Sequence, residues 1–132
     1  MSKPALLLAA AALVLVASIG LAASEKHVQA PLQTMNGSGV SGVVHITQMP
    51  KGGAQVVMNI QGLHAGSSYA TFYYESADCS APADEFEAFT ADKDGRATLN
   101  GKIDDDVDEV GSFSVRVGPG YGDLLACATM HP

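Results

Sequence analysis

Imidazole and thioether side chains are the groups in this sequence with the clearest potential for metal chemistry. Soft ligands of these two kinds suit Cu(I), and the residues that supply them are His27, His45, Met58, His64, Met130 and His131. Met130 with His131, His27 and His64 are the most suggestive of these candidates. No spacing such as H-x-H, M-x-x-M or C-x-x-C supports a site. The alternative interpretation places Met58 in the core, His64 in a turn and His131 in a frayed terminus, and both interpretations stay open.

The two cysteines offer a different chemistry. Cys79 and Cys127 are 48 positions apart, which excludes a C-x-x-C redox motif. In an oxidising compartment such a pair favours a disulfide over a metal or redox site. Closing a loop of this size should stabilise a small domain by about 4 kcal/mol.

Two further segments contain residue types that bind ions in other proteins. The carboxylates of the acidic run 104–109 are of the kind that calcium prefers, but the ligand order and central glycine of an EF-hand are absent. A solvated loop is therefore the favoured interpretation. The glycine-rich segment 118–122 precedes a predicted strand rather than a helix, so we interpret it as a turn and not as a phosphate site. No G-x-S-x-G motif or other nucleophilic set occurs.

The start of the chain has the composition of an export signal. A positive Met1-Ser2-Lys3 precedes an apolar run, and small residues at 20–24 provide the small-x-small pattern of a cleavage site. We predict a signal peptide over residues 1–24, with an uncleaved membrane anchor as the alternative. Residues 25–38 show no periodicity and are predicted to be a flexible leader.

The charge balance limits the partners. The chain has 14 acidic and 7 basic residues, so it repels phosphate backbones and anionic lipid head groups. We therefore expect no nucleic-acid partner, and no membrane partner after signal cleavage. With the signal and the cysteines, this predicts an exported protein, periplasmic or secreted, whose protein or small-molecule partner is unknown.

The elements that position these residues read as strands. Residues 39–132 are long enough for one domain, and short alternating segments are separated by glycine and proline turns. The stretch 76–88 is the longest irregular part. The predicted strands cover residues 40–48, 54–61, 69–74, 86–90, 96–103, 112–118 and 124–130. About seven to eight such strands are typical of an all-β antiparallel Greek-key sandwich or flattened barrel.

Four segments match, in order, the pattern of one known family. GLHAGSSYATFYYESADCS at 62–80 matches G-L-x-P-G-x-H-G-F-H-x-H-E-x-G-D-C-S, and GDLLACATM at 122–130 matches G-x-R-L-A-C-G-x-I. ADKDGRATLNGKI and SGVVHITQ match the strands D-x-D-G-x-A and G-x-V-x-F-x-Q. In these segments the chain resembles the copper/zinc superoxide dismutases over about residues 39–130. The resemblance implies that family's fold and places its intrasubunit disulfide at Cys79 and Cys127.

The same resemblance implies that the metal chemistry is lost. The family's copper ligands fall on Tyr69, Phe72 and Tyr74, and the fourth on Val117 or its neighbour. The long zinc loop is shortened and contains no histidine, and Leu124 stands where the family has the arginine that guides superoxide. A redox metal needs imidazole or thiolate ligands and an open coordination position. The resemblance therefore predicts no cofactor and no dismutase activity.

We expect an exported, non-catalytic β-sandwich module with a binding or structural role. The alternative is a periplasmic copper-binding or metal-handling protein that uses the remaining His and Met side chains, with His64, Met130 and His131 as its ligands. Tight, stoichiometric copper binding would separate the second hypothesis from the first.

Overall fold

The computed structural model describes residues 26–131, which form an all-β fold. Its elements are β1 (His27–Thr34), β2 (Ser41–Gln48), β3 (Ala54–Gln61), β4 (Ser68–Tyr74), β5 (Ala83–Thr90), β6 (Ala97–Ile103), a 3₁₀ turn (Val107–Glu109), β7 (Ser112–Val117) and β8 (Leu124–Thr129). In this part of the chain no helix has the length and apolarity needed to span a membrane. The predicted signal peptide, residues 1–24, lies outside the described residues.

The strands form a nearly closed, flattened barrel in the antiparallel order β5-β4-β7-β8-β1-β2-β3-β6. One face consists of β1, β2, β3 and β6, and the other of β5, β4, β7 and β8. β1 joins the two faces because it also pairs with β8 at Gln33 and Thr34. The β3–β4 and β6–β7 connections each cross between the faces, which is a Greek-key path. The predicted all-β flattened barrel is confirmed.

Alternating side chains from both faces fill the barrel interior. β3 shows the period of two most clearly, since Val56, Met58 and Ile60 are buried while the residues between them are not. They belong to one cluster with Phe113 and Val115 of β7 on the opposite face. Full burial of each such side chain contributes roughly 1.5–3 kcal/mol. Met58 is a core residue, as the interpretation without a metal predicted.

Strand β4 is buried on both of its faces. Tyr69 and Tyr73 point into the barrel and belong to its main core. The side chains between them point outward and form a second apolar cluster with the disulfide: Ala70, Phe72, Tyr74, Cys79 and Cys127. The sulfur atoms of the two cysteines are bonded, so the predicted disulfide is confirmed. It ties the loop after β4 to β8.

The prediction of a flexible leader was wrong for the part of residues 25–38 that the structure describes. Residues 27–34 form β1, which pairs with β2 along most of its length. Only Ala30 and Leu32 of this strand are buried. The alternation of apolar and polar residues by which a strand is recognised is therefore weak in this segment. At Pro31, β1 is paired with β2 but not with β8. A proline, which has no N–H group to donate, is tolerated where one side of a strand is unpaired. The domain therefore includes residues that were assigned to the leader.

Strand β5 begins at Ala83, inside the stretch that was predicted to be irregular. Its register with β4 shifts between Thr71 and Phe72, so Phe86 is the extra residue of a bulge. The Thr71 hydroxyl holds this bulge, because it donates to the Glu87 carbonyl at 2.9 Å and accepts from the Glu87 amide at 3.1 Å.

The bulge turns the ring of Phe86 toward the one gap in the described sheet, between β5 and β6, which are not hydrogen-bonded to each other. The ring packs edge-on against Phe113 with 6.2 Å between centroids. It also lies over Gly101 of β6, where a Cβ atom would come within 3.1 Å of it. Phe86 therefore closes the barrel by packing where backbone pairing stops.

Candidate functional site

The four positions that the resemblance matches to copper ligands do not meet at one place. Phe72 and Tyr74 lie together on the outer face of β4. Tyr69 points into the barrel, and its hydroxyl accepts a hydrogen bond from the His64 amide at 2.8 Å. Val117 pairs with Tyr69 at the end of β7 and is 42% exposed. The four positions thus fall into two separate pairs, Phe72 with Tyr74 and Tyr69 with Val117.

Strand β7 supplies the outward neighbours of Phe72 and Tyr74. Its outward side chains alternate with its core residues, and Ser114 and Arg116 are the two that reach the tyrosine hydroxyl. Tyr121, in the β7–β8 turn, packs edge-on against Phe72 with 4.8 Å between ring centroids. We call this set the outer-face cluster: Phe72, Tyr74, Ser114, Arg116 and Tyr121.

Tyr74 is the most buried aromatic residue of the outer-face cluster and is only 2% exposed. Its hydroxyl lies 2.7 Å from the Ser114 hydroxyl and accepts a hydrogen bond from Arg116 Nε at 3.1 Å. Among the described residues, every buried side-chain nitrogen or oxygen has a hydrogen-bond partner. The hydroxyls of Tyr74 and Ser114 are therefore occupied within the cluster.

Arg116 organises the exposed edge of the cluster. Its Nη1 donates to the Gly122 carbonyl at 3.0 Å and its Nη2 to the Cys79 carbonyl at 3.4 Å. Its guanidinium lies over the ring of Tyr121, 3.8 Å from the centroid, in a cation–π contact. Burial, followed by the hydrogen bond with Tyr74, raises the pKa of Tyr121, while the charge of Arg116 acts in the opposite direction. The Tyr121 phenol therefore stays protonated at neutral pH.

Hydrogen bonds between side-chain hydroxyls and backbone groups hold the loop after β4, and with it the disulfide, against the cluster. The Cys79 amide donates to the Ser112 hydroxyl at 3.0 Å, and that hydroxyl donates to the Ser76 carbonyl at 2.7 Å. The Thr129 hydroxyl donates to the Ala77 carbonyl at 2.7 Å. Cys79 itself has a left-handed backbone with φ of 59°. These bonds hold a conformation that a residue other than glycine rarely adopts.

The outer-face cluster does not fit a copper or zinc ion. Phe72 has no ligand atom, and the hydroxyls of Tyr74 and Ser114 are bonded to each other. The cluster contains no imidazole and no thiolate, the ligands that these metals select. The guanidinium of Arg116 would also repel a cation at this place. The side chains of this cluster therefore support no metal-dependent step.

The candidate ligands His64, Met130 and His131 are not brought together either. His64 is exposed in the turn after β3, whereas His131 Nε2 lies 2.9 Å from the Val107 carbonyl, beyond the other end of that strand. Met130 is 4% exposed and belongs to the main core. In residues 26–131 no group of three His, Cys, Asp or Glu side chains is placed to hold a metal ion.

The acidic run 104–109 is more ordered than a solvated loop. Asp106 caps the 3₁₀ turn in a capping box with Glu109, and its carboxylate accepts from the Gln48 side chain at 2.9 Å and the Gly53 amide at 2.8 Å. The hydrogen bond from Gln48, followed by that from Gly53, lowers the pKa of Asp106. Burial, followed by repulsion from Glu109 and other carboxylates, raises the pKa of Asp105. The run acts as a structural connection, and its carboxylates do not converge on one point.

Two concave regions lie away from the outer-face cluster. A cavity of about 330 Å³ beside Tyr69, Val117 and Leu125 has a mostly apolar lining. A cavity of about 450 Å³ lies over Gly42, with Arg96 at its border. A Cβ atom at Gly42 would lie 2.0 Å from the Asn59 carbonyl oxygen, so only glycine fits the floor of this second cavity.

Sequence reasoning missed two parts of this arrangement. The fourth ligand position was matched to Val117 or its neighbour, and the alternation of β7 places Arg116, and not Val117, on the side of Tyr74. Tyr121 was placed in a turn, and nothing in the sequence shows that this turn folds back over Phe72.

No protein-family model matches the chain, and a search of curated proteins finds no significant match.

Proposed function

We propose that the chain is an exported, non-catalytic β-barrel module that resembles the copper/zinc superoxide dismutases and lacks their metal sites. Its role is to bind a partner or to serve as a structural component. The observation that carries the proposal is the filled outer-face cluster, in which a buried, hydrogen-bonded Tyr74 and a buried Phe72 stand at two of the matched ligand positions.

The all-β flattened barrel and the position of the disulfide agree with the resemblance. The disulfide also agrees with an oxidising location, periplasmic or secreted, because such bonds persist outside the cytosol. A dismutase needs a metal with an open coordination position that an anion can reach. In the outer-face cluster, aromatic rings and a guanidinium fill the space beside Tyr74 that a metal ion and its anion would need.

The metal-handling alternative with His64, Met130 and His131 is not favoured by the geometry. Two of these residues lie beyond opposite ends of β3, and the third is buried in the core. A copper site built from all three would require the barrel to open.

A superoxide dismutase assay on the oxidised protein, before and after incubation with Cu²⁺ and Zn²⁺, tests the proposal. We expect no dismutation beyond that of the free metal, with or without added ions. The matched variant is Phe72→His/Tyr74→His, which returns two imidazoles to the cluster and reports whether the assay detects copper held there. Dismutation by the metal-loaded wild-type protein, lost in Tyr74→Ala, would contradict the proposal. Metal binding that gives no dismutation and persists in Tyr74→Ala would not, because it would place the ion outside the outer-face cluster.

A further inference from the structure

Two histidines lie side by side on the outside of the face formed by β1, β2, β3 and β6. His27 of β1 pairs with Thr47 of β2, and Gln29 pairs with His45, so the two histidines are diagonal neighbours across the strand pair. Their ring centroids are 5.7 Å apart, with 35° between the ring planes. His27 is exposed and His45 is half-buried. Both rings are therefore accessible from solvent.

The ring nitrogens of this pair are arranged as in many metal sites. His27 Nδ1 lies 2.8 Å from the Thr47 hydroxyl, which fixes the ring and leaves Nε2 free to act as a ligand. A ligating histidine commonly has its second nitrogen held by such a hydrogen bond. Neither nitrogen of His45 has a hydrogen-bond partner among residues 26–131. The pair thus offers one ligand nitrogen from each neutral ring: Nε2 of His27 and either nitrogen of His45.

The separation of the rings is close to that needed for a shared ion. A metal about 2.0–2.1 Å from a ring nitrogen is about 3.2 Å from the ring centre, so tetrahedral coordination places two ring centres about 5.2 Å apart. The observed 5.7 Å differs by about half an ångström, which a small rotation of the His45 ring supplies.

We propose that His27 and His45 bind one Zn²⁺ ion, with water in the remaining coordination positions. Neutral imidazole is a preferred ligand of this ion. The excess of 14 acidic over 7 basic residues favours the approach of a cation. No third His, Cys, Asp or Glu joins the pair in the described chain, so the ion is exchangeable and does not hold the fold together. The site lies apart from the outer-face cluster and does not depend on the proposed function.

Calorimetric titration of the full chain with ZnCl₂ tests this site. We expect one ion per chain, with affinity reduced about tenfold or more in His27→Ala and to a similar extent in His45→Ala, because each variant turns a chelate into a single ligand. The zinc affinity of His27→Ala/His45→Ala should be only slightly lower than that of either single variant.

His64→Ala is the matched control, since it removes an exposed histidine beyond the far end of β3 and should leave zinc affinity unchanged. Circular dichroism of each variant verifies that the barrel is retained. A second readout is the ¹H NMR spectrum, in which zinc should shift the ring signals of His27 and His45 before those of His64 and His131. Absence of binding at millimolar zinc, or equal affinity in wild type and His27→Ala/His45→Ala, would overturn the proposal.

Discussion

Removal of the Cys79–Cys127 disulfide should lower the free energy of unfolding by about 4 kcal/mol, because the bond joins residues 48 apart and restricts the unfolded chain. Both cysteines are buried, at 2% and 7% exposed, and pack with Phe72 and Tyr74. Replacing them with alanine removes two buried sulfur atoms as well, which adds roughly 1–2 kcal/mol. The free energy of unfolding of a small domain is about 5–15 kcal/mol, so this loss is a large part of the total stability.

Urea unfolding followed by circular dichroism separates these two contributions. Reduced wild-type protein keeps both sulfur atoms and should lose only the contribution of the cross-link. Cys79→Ala/Cys127→Ala should lose that contribution and the packing of the sulfur atoms. If oxidised and reduced wild-type protein unfolded with free energies within about 1 kcal/mol of each other, the cross-link would not restrict the unfolded chain, and the reasoning would be refuted.

Three further substitutions test separate parts of the molecule. Tyr74→Phe removes a buried hydroxyl bonded to Ser114 and should lower the free energy of unfolding in urea by about 1–3 kcal/mol. Asp105→Asn should raise the melting temperature at pH 7. Burial and nearby carboxylates raise the pKa of Asp105 in the folded protein above its ordinary value of 3.8. The carboxyl group therefore destabilises the fold as the pH rises from 3.8 through the higher pKa of the folded state. That gain should disappear below pH 3.8. Gly42→Ala should destabilise the β2–β3 pair by about 2 kcal/mol or more in urea, because its Cβ would lie 2.0 Å from the Asn59 carbonyl oxygen.

Each of these substitutions has a control. Ser114→Ala should destabilise less than Tyr74→Phe, because the tyrosine hydroxyl keeps its bond from Arg116; the reverse order would show that the tyrosine is not the centre of the cluster. Asp123→Asn changes a carboxylate outside the acidic run, and an equal rise in melting temperature there would assign the effect to net charge. Gly120 has open space around it, so Gly120→Ala should be tolerated, and a similar loss at both glycines would contradict the steric argument.

The strands with strong alternation were predictable from the sequence. β3 was predicted with its observed ends, because apolar residues at period two follow a glycine turn at Gly52 and Gly53. β1 was not predicted, and of β5 only residues 86–90 were, for a shared physical reason. Each buries few of its side chains, and β5 carries the acidic residues that β-propensity disfavours. Such strands form because neighbouring strands offer pairing, and their own sequence does not report it.

The candidate site was predictable in part. The disulfide followed from the cysteine count and the resemblance, and the shared face of Phe72 and Tyr74 follows from their spacing of two. The role of Arg116 depends on the register between β4 and β7, which single-strand patterns do not contain. The contact of Tyr121 depends on how the β7–β8 turn folds over the sheet, and the proximity of His27 and His45 required recognising β1 as a strand.

The gap that Phe86 closes between β5 and β6 affects how the barrel exchanges its amide protons with solvent. β5 is hydrogen-bonded to β4 alone and β6 to β3 alone, so each has one edge whose amides lack a strand partner. Detaching either strand from its one partner breaks a single ladder and leaves the β1–β2–β3 ladder intact, so it requires less free energy than unfolding the whole domain. Amides of β5 and β6 should therefore exchange by local opening, while those in the centre of β2 exchange only when the entire chain unfolds.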